Sequence, residues 1–208
     1  MSEFSLIETL RYEPEHGFVR LRLHLARLTR SARRLGFAGA DAAEARLHEA
    51  VGGAGAPLRV RLTLGRQGAM DITTAPFVPL PADTVWRVRI ASARVDSGDR
   101  LLRMKTTRRS VYEAARGEFS PVEADEVLLL NEKGEVCEGT ITSIFLEDGT
   151  GTLKTPPLAC GLLAGVLRTE LVCQRRARVE RLSPADLQGG RLYVGNSLRG
   201  LIRAEIGI

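Results

Sequence analysis

The chain has 208 residues, with 30 Lys and Arg against 25 Asp and Glu, giving a formal charge of +5 at pH 7. Apolar residues are 44% and charged residues 26%, a globular balance with enough interior for a core, and they are spread too evenly for disorder. No apolar run nears the ~20 residues that cross a bilayer, and the acidic start Met1-Ser2-Glu3-Phe4-Ser5-Leu6 lacks the apolar stretch of a signal peptide, so a cytoplasmic setting with no membrane partner is expected.

Residues 4–12 and 17–21 read as two strands about a turn carrying Pro14 and Gly17. Leu25, Leu28, Ala32 and Leu35 recur at helical spacing within 23–35, and Gly36 stops that helix. Asp41 opens a second helix over 42–51, closed by Gly52-Gly53. Residues 58–64 alternate apolar side chains with Arg, as a half-buried strand does, and 69–74 return after a glycine turn. Pro76, Pro79 and Pro81 make a stiff connector, which sets the expected lobe boundary: 1–79 as a small N-terminal α/β lobe and 80–208 as a larger C-terminal lobe. In the second lobe the expected elements are a strand over 85–91, a helix running from Lys105 to about Ala115 and a strand over 126–130. A turn at Asn131–Gly134, strands over 135–138 and 141–146, and a short strand ending at Thr155-Pro156-Pro157 follow. A helix over 161–178, a short helix at Asp186 and a strand over 191–195 complete the set. This order of elements predicts an α+β fold rather than a doubly wound parallel sheet.

Three cysteines (Cys137, Cys160, Cys173) and three histidines (His16, His24, His48), all widely spaced, suggest neither a disulfide framework nor a metal centre. Of the 30 basic residues 27 are Arg, scattered through every segment, and aromatics are only 5%, so a nucleic-acid-binding face is not expected. The scarcity of Lys narrows any search for an amine nucleophile to Lys105, Lys133 and Lys154. Lys133 lies in a hairpin turn and Lys154 has no cationic cluster. Lys105 stands in Arg103-Met104-Lys105-Thr106-Thr107-Arg108-Arg109, where cationic neighbours or desolvation lower an amine pKa; the competing reading is a solvated surface lysine. Glu138, between Cys137 and Gly139 at a strand switch, is either an outward strand residue or a buried carboxylate in need of a cationic or donor partner, such as a pyridinium nitrogen. Gly161 to Arg168 places glycines at a helix start, which is a tight turn or a phosphate cradle built from exposed backbone N–H groups. Arg27 is an exposed helical arginine or a bidentate phosphate contact. Asn196-Ser197, after a strand, is an ordinary turn or a further set of donors.

Together these residues fit one ligand, and their order resembles the class IV aminotransferase family, the fold-type IV pyridoxal-phosphate enzymes. Ile7-Glu8-Thr9-Leu10-Arg11 looks like the family's N-terminal Glu-Thr strand, and His24-Leu25-Ala26-Arg27-Leu28 with Ser31-Ala32 and Leu35-Gly36 looks like its first helix. Lys105 with Arg109 and Tyr112 is similar to the catalytic lysine segment. Ala124-Asp125-Glu126-Val127 through Gly134, Glu138-Gly139-Thr140 and Ile144-Phe145 resembles its most specific stretch, completed by Thr155-Pro156-Pro157-Leu158, Gly161-Leu162-Leu163, Gly165-Val166 and Arg168. The resemblance implies a two-lobed fold like that of D-amino acid aminotransferase, with a mixed, barrel-like sheet in the larger lobe, and a homodimer. It implies pyridoxal 5'-phosphate as cofactor, Lys105 as its covalent attachment and proton shuttle, and Glu138 against the pyridine nitrogen. It also implies Arg27, the backbone at Val166-Leu167, and Ser197 around the phosphate, with Asn196 lining the same loop.

Within that family Phe4–Arg11, Lys105–Arg109 and Leu192–Gly200 look closest to aminodeoxychorismate lyases, which release pyruvate and 4-aminobenzoate from 4-amino-4-deoxychorismate. Two departures fall outside the cofactor residues: Thr142-Ser143 stands where Thr-Asn is usual, and Ile7 where some transaminases place a substrate-contacting Tyr. The alternatives are an aminotransferase acting on a D-amino or branched-chain amino acid, in which Lys105 moves the same proton but a 2-oxo acid leaves, and a non-catalytic binding module on the same fold.

Overall fold

The computed structural model describes residues 4–207, so Met1-Ser2-Glu3 of the acidic start lies outside the described residues. Backbone contacts divide the chain into two compact units. One comprises the residues up to Pro79 together with Met104–Arg108; the other comprises Leu80–Arg103 and the chain from Arg109 onward.

The smaller unit contains β1 (Leu6–Glu13), β2 (Gly17–Phe18), α1 (Leu21–Leu35), α2 (Ala43–Ala50), β3 (Leu58–Leu64) and β4 (Met70–Pro76). Its four strands form an antiparallel sheet in the order β2-β1-β3-β4. The alternation in β3 places Val60, Leu62 and Leu64 inward and Arg59 and Arg61 outward, as a period of two requires. Leu6 and Leu10 of β1 share a core with Leu28 and Ala32 of α1 and Leu47 of α2. Glu8 lies between Leu6 and Leu10 in that alternation, so a carboxylate is carried on the core-facing side of β1. Opposite it, α1 buries His24, Arg27 and Ser31 at helical spacing. Gly36 ends α1 in the left-handed region, at φ 69°, and its N–H donates to the Ala32 carbonyl.

Lys105, expected on the larger lobe at the head of a helix, instead belongs to the smaller unit. Residues 104–108 are not helical: Ile7 N–H donates to the Lys105 carbonyl at 2.8 Å, Thr107 N–H donates to the Ser5 carbonyl at 2.9 Å, and Leu6 and Thr106 pair as a β-bridge. These ladder bonds hold the lysine segment against β1, and the helix starts only at Ser110.

The larger unit contains β5 (Val85–Val95), α3 (Ser110–Gly117), β6 (Glu126–Asn131), β7 (Val136–Gly139), β8 (Ser143–Glu147), β9 (Leu153–Thr155), α4 (Val166–Cys173), β10 (Ala177–Val179), β11 (Arg191–Asn196) and β12 (Gly200–Ile206). The strands form one mixed sheet in the order β10-β9-β8-β11-β12-β5-β6-β7. β12 is parallel to β5 and β5 to β6, whereas β11 is antiparallel to both β8 and β12. β7 and β8 stand five places apart in that order, roughly 24 Å across a flat sheet. Only residues 140–142 join them, a span of about 14 Å at most, so the sheet curls into the half-barrel expected of the fold. Leu128, Val136, Ile144, Val194 and Ile202 pack inside one of its cores.

Two elements depart from expectation. The helix expected over 161–178 is confined to Val166–Cys173: Gly161 turns at φ 89°, Gly165 is extended, and Arg175 takes the left-handed conformation at φ 58°. Residues 177–179 then form a strand instead of the helix end. The sequence reading stops its last strand at Gly195, whereas β12 follows and fills the fifth place of the sheet. No helix among the described residues is long and apolar enough to cross a membrane.

Candidate active site

The seven residues singled out in the sequence divide between the units. Arg27 and Lys105 lie in the smaller one; Glu138, Val166, Leu167, Asn196 and Ser197 lie in the larger one.

In the smaller unit Arg27 is 5% exposed and rests on Glu8, with Nε donating to Oε1 at 2.8 Å and Nη2 to Oε2 at 2.6 Å. His24 Nδ1 meets Glu8 Oε2 at 2.6 Å. Burial alone pushes the Glu8 carboxyl upward, but the Arg27 charge and the hydrogen bonds from His24 and Arg27 outweigh it and hold the pKa at about 2. His24 is shifted below its ordinary range, first by burial and, more weakly, by the charges of Arg27 and Lys105, against the pull of Glu8. The Lys105 charge therefore acts on the same cluster that fixes Arg27. Lys105 itself is half-buried. Arg27 is thus not the exposed helical arginine of the alternative reading. Sequence reasoning passed over Glu8 and His24 as participants; the signal was a carboxylate placed between two core leucines on a strand.

In the larger unit Glu138 lies on β7 and is 5% exposed, which excludes the outward-facing alternative. Its Oε1 accepts the Tyr112 hydroxyl at 2.8 Å and the Leu163 N–H at 3.1 Å. Burial, then the Glu138 charge, drives the Tyr112 phenol upward, so it stays a donor. The Arg109 guanidinium lies 4.6 Å above the Tyr112 ring and donates to the Thr140 carbonyl. Arg168 on α4 is buried; burial lowers its pKa, while the Glu138 charge acts in the opposite direction. Its Nη2 donates to the Pro156 carbonyl at 2.7 Å, and its buried Nε has no partner.

α4 begins at Val166 with no side-chain cap, which leaves the backbone N–H groups of its first turn for another acceptor. A Cβ on Gly165 would stand 2.5 Å from Ser143 Oγ, so glycine keeps this helix start open. Leu167 packs toward β11: a Cβ on Gly195 would meet Leu167 Cδ2 at 2.9 Å. Ser197 is buried in the turn that follows β11. Asn196 is occupied in building that turn. Its Oδ1 accepts the Leu198 and Arg199 N–H groups at 3.1 and 3.0 Å, and its Nδ2 donates to the Ile141 carbonyl at 3.2 Å. These residues fit the group that the resemblance implies. A buried carboxylate suits a protonated ring nitrogen, and a glycine-opened helix start beside a buried serine suits a phosphate.

The chain belongs to the amino-transferase class IV family, whose match runs over residues 5–205. A Mesorhizobium loti structure assigned as an amino-acid aminotransferase is 50% identical, covers 98% of this chain and 100% of that one, and superposes with a TM-score of 0.95. A structure assigned as a 4-amino-4-deoxychorismate lyase is 31% identical, covers 97% and 84% of the two chains, and gives a TM-score of 0.82. A Thermotoga maritima protein assigned as a branched-chain-amino-acid aminotransferase is 38% identical over 69 residues, a third of this chain and 24% of that protein.

Proposed function

We propose that the chain is a pyridoxal-phosphate-dependent 4-amino-4-deoxychorismate lyase. The observation that carries the cofactor assignment is Glu138: a buried carboxylate oriented by two donors on one oxygen, in a chain of this family. The lyase assignment rests on the three lyase-like stretches of sequence and is supported by the 31% identical relative assigned to that reaction. When bound, pyridoxal phosphate supplies an electron-withdrawing ring that takes up the electron pair released at the amine-bearing carbon.

The chain's own groups do the rest. Lys105 Nζ would hold the cofactor through its aldehyde carbon. Glu138 would meet the ring nitrogen and favour its protonated form. The first N–H groups of α4 at Val166 and Leu167, with Ser197 and Arg27, hold the phosphate, and Asn196 fixes the turn that presents Ser197. Lys105 Nζ takes the proton from the amine-bearing carbon and returns a proton to the departing enolpyruvyl group, so it serves as base and then as acid. A homodimer in the cytoplasm is part of the same proposal.

The second reading, an aminotransferase, is favoured by the 50% identical relative. It uses the same residues and differs in needing a 2-oxo acid to complete its cycle. The test supplies aminodeoxychorismate to the reconstituted protein, with and without 2-oxoglutarate, beside Lys105→Ala. 4-Aminobenzoate and pyruvate formed without the oxo acid support the lyase; turnover of amino acids only with the oxo acid supports the second reading. Activity surviving in Lys105→Ala overturns the role given to that residue.

A further inference from the structure

Glu126 is the first residue of β6 and is fully buried, 0% exposed. A carboxylate there is costly unless its oxygens are met by donors. Among the described residues five donors meet it, and none is a cation. Oε1 accepts the Val127 N–H at 2.9 Å, the Thr140 N–H at 3.0 Å and the Thr140 hydroxyl at 2.5 Å. Oε2 accepts the Ile141 N–H at 3.1 Å and the Thr142 hydroxyl at 2.8 Å. Four of these five come from residues 140–142, the short crossing that joins β7 to β8. Gly139 is drawn in as well, since a Cβ on it would stand 2.4 Å from Thr142 Oγ1 and 2.7 Å from Glu126 Oε2.

The crossing touches the candidate site on three sides. Glu138 is the residue before Gly139. The Thr140 carbonyl accepts Arg109, whose guanidinium covers the Tyr112 ring, and Tyr112 donates to Glu138. The Ile141 carbonyl accepts Asn196 Nδ2 and so steadies the turn that carries Ser197. We infer that Glu126 is a positioning residue: by gathering the donors of 140–142 onto one carboxylate it fixes the direction of the Glu138 side chain and the placement of the Asn196-Ser197 turn. This rests on the reading of Glu138 as the partner of the cofactor's ring nitrogen. If Glu126 served only to close the curled sheet, its loss would lower stability without altering the ligand that Glu138 faces.

The test compares Glu126→Gln, Glu138→Gln, Thr142→Val and Thr142→Ser with the wild type, all as full chains. Three readouts are taken: amide hydrogen exchange over 138–143 without cofactor, the dissociation constant for pyridoxal phosphate, and the pH at which the bound cofactor's absorbance changes. Glu126→Gln keeps the shape but turns an amide toward donors. Exchange over 138–143 is expected to quicken, the dissociation constant to rise by about 10- to 100-fold, and the absorbance transition to move in the same direction as in Glu138→Gln. Thr142→Val is expected to move the same readouts by less, and Thr142→Ser, which keeps the hydroxyl, to restore them. The Thr142 pair carries the test if Glu126→Gln does not fold.

A Glu126→Gln protein that unfolds at lower temperature yet binds and titrates the cofactor as the wild type does overturns the inference while the proposed function stands. A wild type that binds no pyridoxal phosphate, or one whose bound cofactor is indifferent to Glu138→Gln, overturns the reading of Glu138 and this inference with it.

Discussion

Replacing Glu8 by Gln removes a buried anion that holds Arg27 and His24. A carboxyl held at about 2 rather than 4.5 corresponds to about 3 kcal/mol of stability at neutral pH. Breaking a buried ion pair by removing one partner costs ~3–5 kcal/mol on general grounds. The amide retains some hydrogen bonding, so a loss of about 2–4 kcal/mol is expected at pH 7. Urea unfolding measures it, with the midpoint falling by roughly 1–2 M. The pH dependence is more telling. His24 is depressed by burial and partly restored by Glu8, so without Glu8 it resists protonation further. A depressed histidine contributes stability above its unfolded pKa, near 6.5, that is lost as pH falls. The variant therefore goes on losing stability through His24 to a lower pH than the wild type does. Below 4.5 the wild type begins to lose the Glu8 contribution, which is gone as pH passes about 2, so the gap between wild type and variant then closes. A midpoint change of a few tenths molar at pH 7, or a gap that keeps widening below pH 3, would refute the assigned electrostatics.

Gly139→Ala is expected to cost at least about 2 kcal/mol, read as a fall in melting temperature, because its Cβ has no room between Thr142 and Glu126; an unchanged melting temperature would contradict the close approach. Gly165→Ala brings a Cβ to 2.5 Å from Ser143 Oγ at the start of α4. It is expected to weaken pyridoxal phosphate about 10-fold while leaving pyridoxal, which lacks the phosphate, nearly unchanged; equal losses for both would remove the phosphate from this helix start. Tyr112→Phe takes one donor from Glu138 and is expected to reduce turnover about 10-fold with little change in melting temperature. Among the thiols, Cys173 is exposed, whereas burial, with Glu135 beside it, pushes Cys160 up to about 11 and burial pushes Cys137 up as well. One fast-reacting thiol at pH 8, mapped to Cys173 by mass spectrometry, is the expected outcome of alkylation.

Local pattern carried much of the small unit. The spacing of Leu28 and Ala32 marked α1, and the Arg-apolar alternation marked β3, because each element buries one face against one sheet. It failed where backbone geometry overrides composition. Gly161 to Arg178 reads as helical, but Gly161, Gly165 and Arg175 each leave the helical region, and only eight residues stay in it. Lys105 was identified by its rarity, yet the segment it sits on is extended, since its neighbours pair with β1, which is nearly a hundred residues away in sequence. Glu138 was singled out by its place before Gly139. Glu126 was quoted only as part of a motif, because a lone carboxylate opening a strand of buried residues gives no local sign of donors that arrive from residues 140–142.

The place of β12 sets the timetable of assembly. It follows the other described strands of its sheet in the chain, yet it lies between β11 and β5 in the middle of the sheet. Until residues 200–206 emerge during synthesis, β5-β6-β7 and β10-β9-β8-β11 are two ribbons with no ladder between them, each offering an open edge. Pairing β12 with β5 then closes contacts more than a hundred residues apart, the long-range pairing that slows folding.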